Sequence, residues 1–142
     1  MYKPLIVVSA IALINDQNQV LYAQRPKGKN MEGLWEFPGG KLEPGETAET
    51  AIQRELMEEL SLHVELDDLI PLTFASQKYD DFIMIMPLFI CKKWSGSIHP
   101  NEGQSYSWVN LEDLKSYPMP PADAPLLDHI LKFMKAALSS TK

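Results

Sequence analysis

The stretch from Gly39 to Leu62, GGKLEPGETAETAIQRELMEELSL, decides how this chain is read, because a glycine loop runs into an amphipathic helix with acids on its inner side. At about 100° per residue, Glu55 and Glu59 fall within the arc occupied by Ala48, Ala51, Ile52 and Leu56, and Glu58 lies at its border. Bare carboxylates at a core boundary either lose their charge or destabilise the fold by roughly several kcal/mol, unless cations compensate them. A divalent metal ion is the simplest compensation. Residues three and four apart on a helix are neighbours, and Glu55, Glu58 and Glu59 satisfy both intervals, so their oxygens can be directed toward one point. An all-oxygen set suits Mg2+ or Mn2+, and Mg2+ keeps waters and substrate phosphates among its ligands, which implies a phosphorylated substrate. In isolation such a cluster of glutamates is more often a solvated acidic face; the apolar arc and the preceding glycines reverse that preference here.

Gly39-Gly40 and Pro44-Gly45 bracket a tight loop that enters the helix at Thr47, the expected N-cap, with Glu49 favourably placed in the first turn. Gly40, five residues, Glu46, seven residues, Arg54-Glu55-Leu56, one residue and Glu58-Glu59 together resemble the Nudix box of the Nudix hydrolases, and a motif of this length is specific. One position departs from the pattern. Ser61 stands where the family usually has glycine, and if that residue must be left-handed to end the helix, serine costs on the order of 1 kcal/mol without touching the acids.

With 142 residues, the chain is expected to form one domain spanning 1–142, large enough for a sizeable core. No repeat or low-complexity tract interrupts it. A net charge of −6 argues against direct DNA binding and against an anionic membrane surface, while Arg25, Lys27 and Lys29 form a local cationic patch that could meet phosphates. The apolar start, Leu5 to Ile14, is too short to span a bilayer, and the turn residues Asn15-Asp16-Gln17-Asn18 followed by a second strand-like run from Val20 suit a hairpin better than an export signal. The single Cys91 lies in an apolar run and is expected to be a buried thiol, so a cytoplasmic location is the default, as is a monomer.

Beta-branched and alternating runs at 5–14, 20–24, 64–75, 82–91 and 105–109 read as strands, with helices over about 47–60 and 124–138. Strands and helices do not alternate regularly, so the expected class is mixed α/β (α+β) rather than a doubly wound parallel fold. The Nudix resemblance implies an alpha/beta/alpha sandwich around a mixed sheet, with Leu126, Leu127, Ile130, Leu131 and Met134 forming the buried stripe of the last helix.

Outside the box, Trp35-Glu36-Phe37-Pro38-Gly39-Gly40-Lys41, Asn101-Glu102-Gly103-Gln104 with Trp108, and Pro120-Pro121-Ala122-Asp123 resemble the MutT-type branch, whose members hydrolyse oxidised purine nucleoside triphosphates to monophosphate and pyrophosphate. That likeness implies a metal site made from the Gly40 carbonyl and the carboxylates of Glu55, Glu58, Glu59 and Glu102. Glu46 and Arg54 match the pair expected to hold the helix acids, and any of the four glutamates could serve as the base that takes a proton from water. On the substrate side it points to Gly39, Gly40 and Lys41 in the loop, Arg25, Phe37 as a base-stacking ring, and Tyr79 with Asp81 over the nucleobase. Trp35, Trp94 and Trp108 read as packing residues, and His63, His99 and His129 lack metal-ligand spacing. Asp123 replaces an asparagine typical of bacterial members: a carboxylate only accepts hydrogen bonds, so it bears on base selectivity, while Asp123-Ala124-Pro125 also reads as a helix N-cap.

The leading expectation is therefore a Mg2+-dependent pyrophosphohydrolase acting on a nucleoside triphosphate, 8-oxo-dGTP first. Within the same class stand a pyrimidine triphosphate hydrolase and a dinucleoside polyphosphate hydrolase, and in a different class an idle nucleotide-sensing module. An idle domain has no reason to carry Glu55, Glu58 and Glu59 against their desolvation cost.

Overall fold

The computed structural model describes residues 3–28 and 30–140, so Lys29 of the cationic patch lies outside the described residues. In chain order the strands are β1 (Leu5–Leu13), β2 (Gln19–Gln24), β3 (Trp35–Glu36), β4 (Gly39–Lys41), β5 (Ile70–Lys78), β6 (Ile83–Cys91) and β7 (Ser105–Asn110). Helix α1 (Ala48–Leu60) lies between β4 and β5, and α2 (Leu127–Ser140) closes the chain.

The apolar run of β1 lacks a polar alternation because its C-terminal half is buried on both faces. Ala10, Ala12 and Ile14 point into one core with Tyr22, Leu88, Ile90, and Leu126, Ile130 and Met134 around α2. Ile11 and Leu13 point the other way, into a second core with Phe89, Cys91 and the α1 residues Ile52, Leu56 and Leu60. The period of two along β1 thus sorts side chains between two helices, which gives the expected α/β/α arrangement. Leu56 is fully buried at the centre of the α1 stripe, and its truncation to alanine would cost about 2–5 kcal/mol.

The sheet under those helices is mixed, in the order β4-β1-β6-β5, with β1 parallel to β6 and the other pairs antiparallel. Pro87 lies inside β6, and the pairing to β1 passes from Val7↔Ile85 to Ala10↔Leu88 across it, as a residue without an N–H requires. Beside this sheet a three-stranded antiparallel sheet, β3-β2-β7, meets it through the Ile14↔Val20 bridge.

The expected boundaries shift in three places. The strand anticipated over 64–75 starts only at Ile70, after a 3₁₀ turn at Leu66–Asp68, and runs on to Lys78; a register irregularity between Pro71 and Thr73 accommodates the proline on this edge strand. The last helix opens with a 3₁₀ turn at Ala124–Leu126 before α2 proper, with Pro125 in the first turn, where its missing N–H removes no helical hydrogen bond. β3 and β4 were not anticipated, being two and three residues long around Pro38 and the glycine pair.

Candidate active site

Gly39 and Gly40 are there for space. A Cβ on Gly39 would collide with the Ser9 carbonyl of β1, so that position must be glycine, and one on Gly40 would collide with the end of the Glu55 side chain, so glycine there lets the Glu55 carboxylate lie against the loop. Gly45 (φ 85°) then turns the chain, and Thr47 caps α1 by accepting from the Thr50 amide at 3.1 Å while its own amide donates to Thr50 Oγ1 at 3.0 Å. Buried Ser9 Oγ donates to the Ala48 carbonyl at 2.8 Å, fastening the first turn of the helix to β1.

Arg54 is the hub of the acids. Its Nε and Nη2 donate to the two oxygens of Glu46 at 2.7 and 2.9 Å, Nη1 reaches Glu55 at 2.9 Å and Glu58 at 3.2 Å, and Nη2 also meets the Lys41 carbonyl at 3.0 Å. The bidentate hydrogen bond from Arg54 holds the Glu46 carboxyl at about 2. Glu55 is pushed upward by burial in spite of Arg54, with repulsion from Glu58 and Glu102 adding to it.

Glu59 sits deeper. Its Oε2 accepts from the Gly39 amide at 3.2 Å, and burial first, then Glu55 and Glu102, lifts its carboxyl to about 9. Each charged side chain that shifts it is another carboxylate, so Glu59 shares a field with Glu55 and Glu102 that is short of positive charge. Among the described residues no three His, Cys, Asp or Glu side chains are gathered closely enough to enclose a metal ion. The chemistry of the donors nevertheless fits a hard divalent cation: several carboxylates and the carbonyl of a loop held against Glu55 by the missing Cβ of Gly40.

Glu59 and Glu102 open into a cavity of about 540 Å³ that is also lined by Gly40, Lys41, Arg25, Glu36, Phe37 and Asp123. Asp123 is buried, and its Oδ2 accepts from the Phe37 amide at 3.2 Å. The carboxylates of half-buried Glu59 and buried Asp123 thus bond to one wall at Gly39 and Phe37, two residues or roughly 7 Å of extended chain apart. Burial first, then Glu36, pushes the Asp123 carboxyl up to about 7.

This position overturns the cap reading of Asp123: its side chain makes no capping bond to the 3₁₀ turn that follows, because it is turned inward to Phe37. The Phe37 ring packs into the core, edge-on to Tyr22 at 5.8 Å, and the residue also borders the cavity. Arg25 lines the cavity with a buried Nε that has no hydrogen-bond partner among the described residues, 3.4 Å from Glu36 Oε1. Tyr79 and Asp81 do not line it. They lie in the β5–β6 turn, where Tyr79 stacks on Phe82 at 4.7 Å, its amide donates to the Phe82 carbonyl and its carbonyl accepts from Lys3 Nζ at 3.1 Å. Trp94 stacks on Trp108 and Trp35 packs edge-on against Tyr117, as packing residues should. The sequence reading passed over Glu36, whose carboxyl is raised by burial, and buried Gln104; both line the cavity.

The profile of the NUDIX domain matches residues 3–130. The chain belongs to the Nudix family. Its Nudix relatives include a CTP pyrophosphohydrolase of Escherichia coli, 33% identical over 134 residues, covering 94% of this chain and 96% of the relative. An 8-oxo-dGTP diphosphatase of Haemophilus influenzae is also 33% identical over 134 residues, covering 92% of this chain and 95% of the relative. Among solved structures, that of the Escherichia coli ORF135 protein superposes with a TM-score of 0.83 at 31% identity over 94% of each chain. A MutT structure described for Aliivibrio salmonicida and Vibrio cholerae gives 0.77 at 30% identity, over 90% of this chain and 98% of that one. Among the described residues of this Nudix chain no helix is long and apolar enough to cross a membrane.

Proposed function

We propose that this Nudix chain is a divalent-metal-dependent nucleoside triphosphate pyrophosphohydrolase, cleaving its substrate to the monophosphate and pyrophosphate, with 8-oxo-dGTP as its preferred substrate. One observation carries the reading: a single cavity joins the carboxylates of Glu59 and Glu102 to the buried carboxyl of Asp123. Phosphates would sit at the acidic end, where bound cations would offset their charge, and the base would sit beside Asp123.

The Gly40 carbonyl and the carboxylates of Glu55, Glu58, Glu59 and Glu102 would hold Mg2+, or Mn2+ in its place. When bound, the ion supplies charge neutralisation on the phosphate oxygens and lowers the pKa of the attacking water. The chain's own part is positioning: Arg54 clamps Glu46 and steadies Glu55 and Glu58, while the Gly39 amide orients Glu59. Water attacks phosphorus in line, a phosphorus–oxygen bond forms as the bridging one breaks, and one glutamate accepts the proton.

At the base end, Oδ2 of Asp123 is occupied by the Phe37 amide, which leaves Oδ1 for the substrate. Oxidation at C8 of guanine converts N7 from an acceptor to an N–H donor, so an ionised Asp123 attracts the oxidised base and repels the normal one. Removal of oxidised triphosphates would keep them out of DNA. A second reading, cytidine triphosphate, is favoured by the relative named CTP pyrophosphohydrolase, and the exocyclic amine of cytosine is also a donor.

The test ranks kcat/KM in Mg2+ for 8-oxo-dGTP, dGTP, CTP and UTP, with wild type, Asp123→Ala and Asp123→Asn. Asp123→Ala is expected to erode the preference for 8-oxo-dGTP over dGTP by about 5–150-fold, and Asp123→Asn to keep most of it, since an amide oxygen still accepts. Equal ratios in wild type and Asp123→Ala would remove Asp123 from base reading, and a CTP rate far above the others would install the second reading.

A further inference from the structure

The end of α1 is tied to the loop that carries Glu102. Ser61 ends the helix in the left-handed region (φ 60°), and the last carbonyls of any helix need partners from outside its regular ladder. Met57 O is met by the Ser61 amide at 3.1 Å, and the next three are met by one segment: Glu58 O by Asn101 Nδ2 at 2.9 Å, Glu59 O by the Asn101 amide at 2.8 Å, and Leu60 O by the His99 amide at 2.9 Å. Upstream, His63 and Ser95 exchange amide–carbonyl bonds at 3.0 and 2.9 Å, and a Cβ on Gly96 would lie 2.8 Å from the Ser61 carbonyl, so only glycine lets the segment come this close. Downstream, the Glu102 amide donates to Oε1 of buried Gln104 at 3.0 Å.

We propose that Asn101 is a positioning residue that fastens Glu102 to the end of α1, so that the loop acid is held in register with Glu58 and Glu59. The amide is oriented for the task, since its Oδ1 is 2.7 Å from His99 Nδ1 and its Nδ2 faces the helix. Ser61 takes part: its Oγ accepts from the same Nδ2 at 3.0 Å, an acceptor that glycine would lack. Serine in place of the glycine usual in Nudix boxes thus gives up an unstrained helix end and gains a tie to the Glu102 loop. This inference rests on the reading of Glu102 as a metal-facing acid.

The experiment titrates Mn2+ alone into substrate-free protein, followed by electron paramagnetic resonance, together with Mg2+ activation profiles, nucleotide KM and Tm. The variants are Asn101→Ala, Glu102→Gln, the double substitution and Ser61→Gly. Asn101→Ala is expected to weaken Mn2+ binding by about tenfold and to raise the Mg2+ concentration for half-maximal activity similarly. Nucleotide KM should move little, and the loss should vanish in the Glu102→Gln background. Ser61→Gly should hold or raise Tm while weakening Mn2+ binding, which separates positioning from folding. The coupling is overturned, with the ligand reading intact, if Asn101→Ala lowers Tm with Mn2+ binding unchanged, or if its loss adds in full to that of Glu102→Gln. If Asn101→Ala does not fold, unchanged Mn2+ binding in Ser61→Gly overturns the coupling. A Glu102→Gln variant that binds Mn2+ as wild type does overturns the ligand reading, and the coupling with it.

Discussion

Glu59 faces opposite demands with and without a cation. Metal-free, its carboxyl is held at about 9 against an ordinary 4.5, so across that window the folded chain keeps a proton that the unfolded chain has released. Stability then falls as pH rises toward 9. Glu59→Gln removes this titration while an amide oxygen still accepts from Gly39, so Tm at pH 8 in chelator is expected to rise above wild type. The same substitution should lower kcat by at least about a hundredfold, because positioned charge dominates phosphoryl transfer. Near-wild-type turnover would remove α1 as the catalytic platform. Asp123 follows the same sign: with its carboxyl at about 7 rather than 3.8, the stability advantage of Asp123→Asn over wild type should widen from pH 4 to pH 7 and level off above. Denaturant melts at several pH values read that difference, expected at a few kcal/mol at most. The inward acids of α1 were legible in the sequence because helical periodicity alone places them. Asp123 was legible only as a choice between base contact and cap, since an aspartate before Ala124-Pro125 also reads as a cap until a partner 86 residues away, the Phe37 amide, claims its side chain.

Among the elements, β4 makes the sharpest distinction between folding and chemistry. The methyl of Gly39→Ala would strike the backbone of β1 at Ser9, which cannot yield without breaking the pairing of the two strands. The methyl of Gly40→Ala would strike only the far end of the Glu55 side chain, which can swing away. Gly39→Ala is therefore expected to lower Tm sharply or to prevent folding, and Gly40→Ala to fold with a Tm near wild type and much reduced kcat. Circular dichroism melts beside steady-state rates decide between them, and a fully active Gly40→Ala would separate Glu55 from the chemistry. Short elements were the least legible. β3 and β4 carry too few residues to show an alternation, and Val64 to Leu69 looked strand-like because Val64 and Leu69 are core residues reached through a 3₁₀ turn rather than along an extended strand. The long strands β1 and β6 were placed to within a residue, because continuous apolar runs bounded by turn residues leave few alternatives.

At the scale of the whole molecule, uncompensated acids make stability a function of the medium. A cation that binds the folded chain and not the unfolded one stabilises it by mass action, so Tm at pH 8 is expected to climb with Mg2+ or Mn2+ concentration and to return to its starting value on chelation. In Glu59→Gln the climb should be much smaller. Differential scanning fluorimetry across a metal series measures both, and a flat response in wild type would count against a divalent site among Glu55, Glu59 and Glu102.

The parallel pairing of β1 with β6 has a consequence for how the chain is made. Leu5 lies beside Ile83, a separation of 83 − 5 = 78 residues, and β4, its other partner, covers only Val8 to Ala10. A ribosome releases this apolar strand more than half the length of the given sequence before its principal neighbour. Until Cys91 has cleared the exit tunnel, Ile11 and Leu13 have no completed sheet to join, whatever the growing helix α1 can offer them. Distant strand pairing is slow even in a finished chain. The nascent protein thus spends much of its synthesis with its future centre open to chaperones, and synonymous changes that alter the pace of translation before Cys91 would act on the yield of folded enzyme without touching one amino acid.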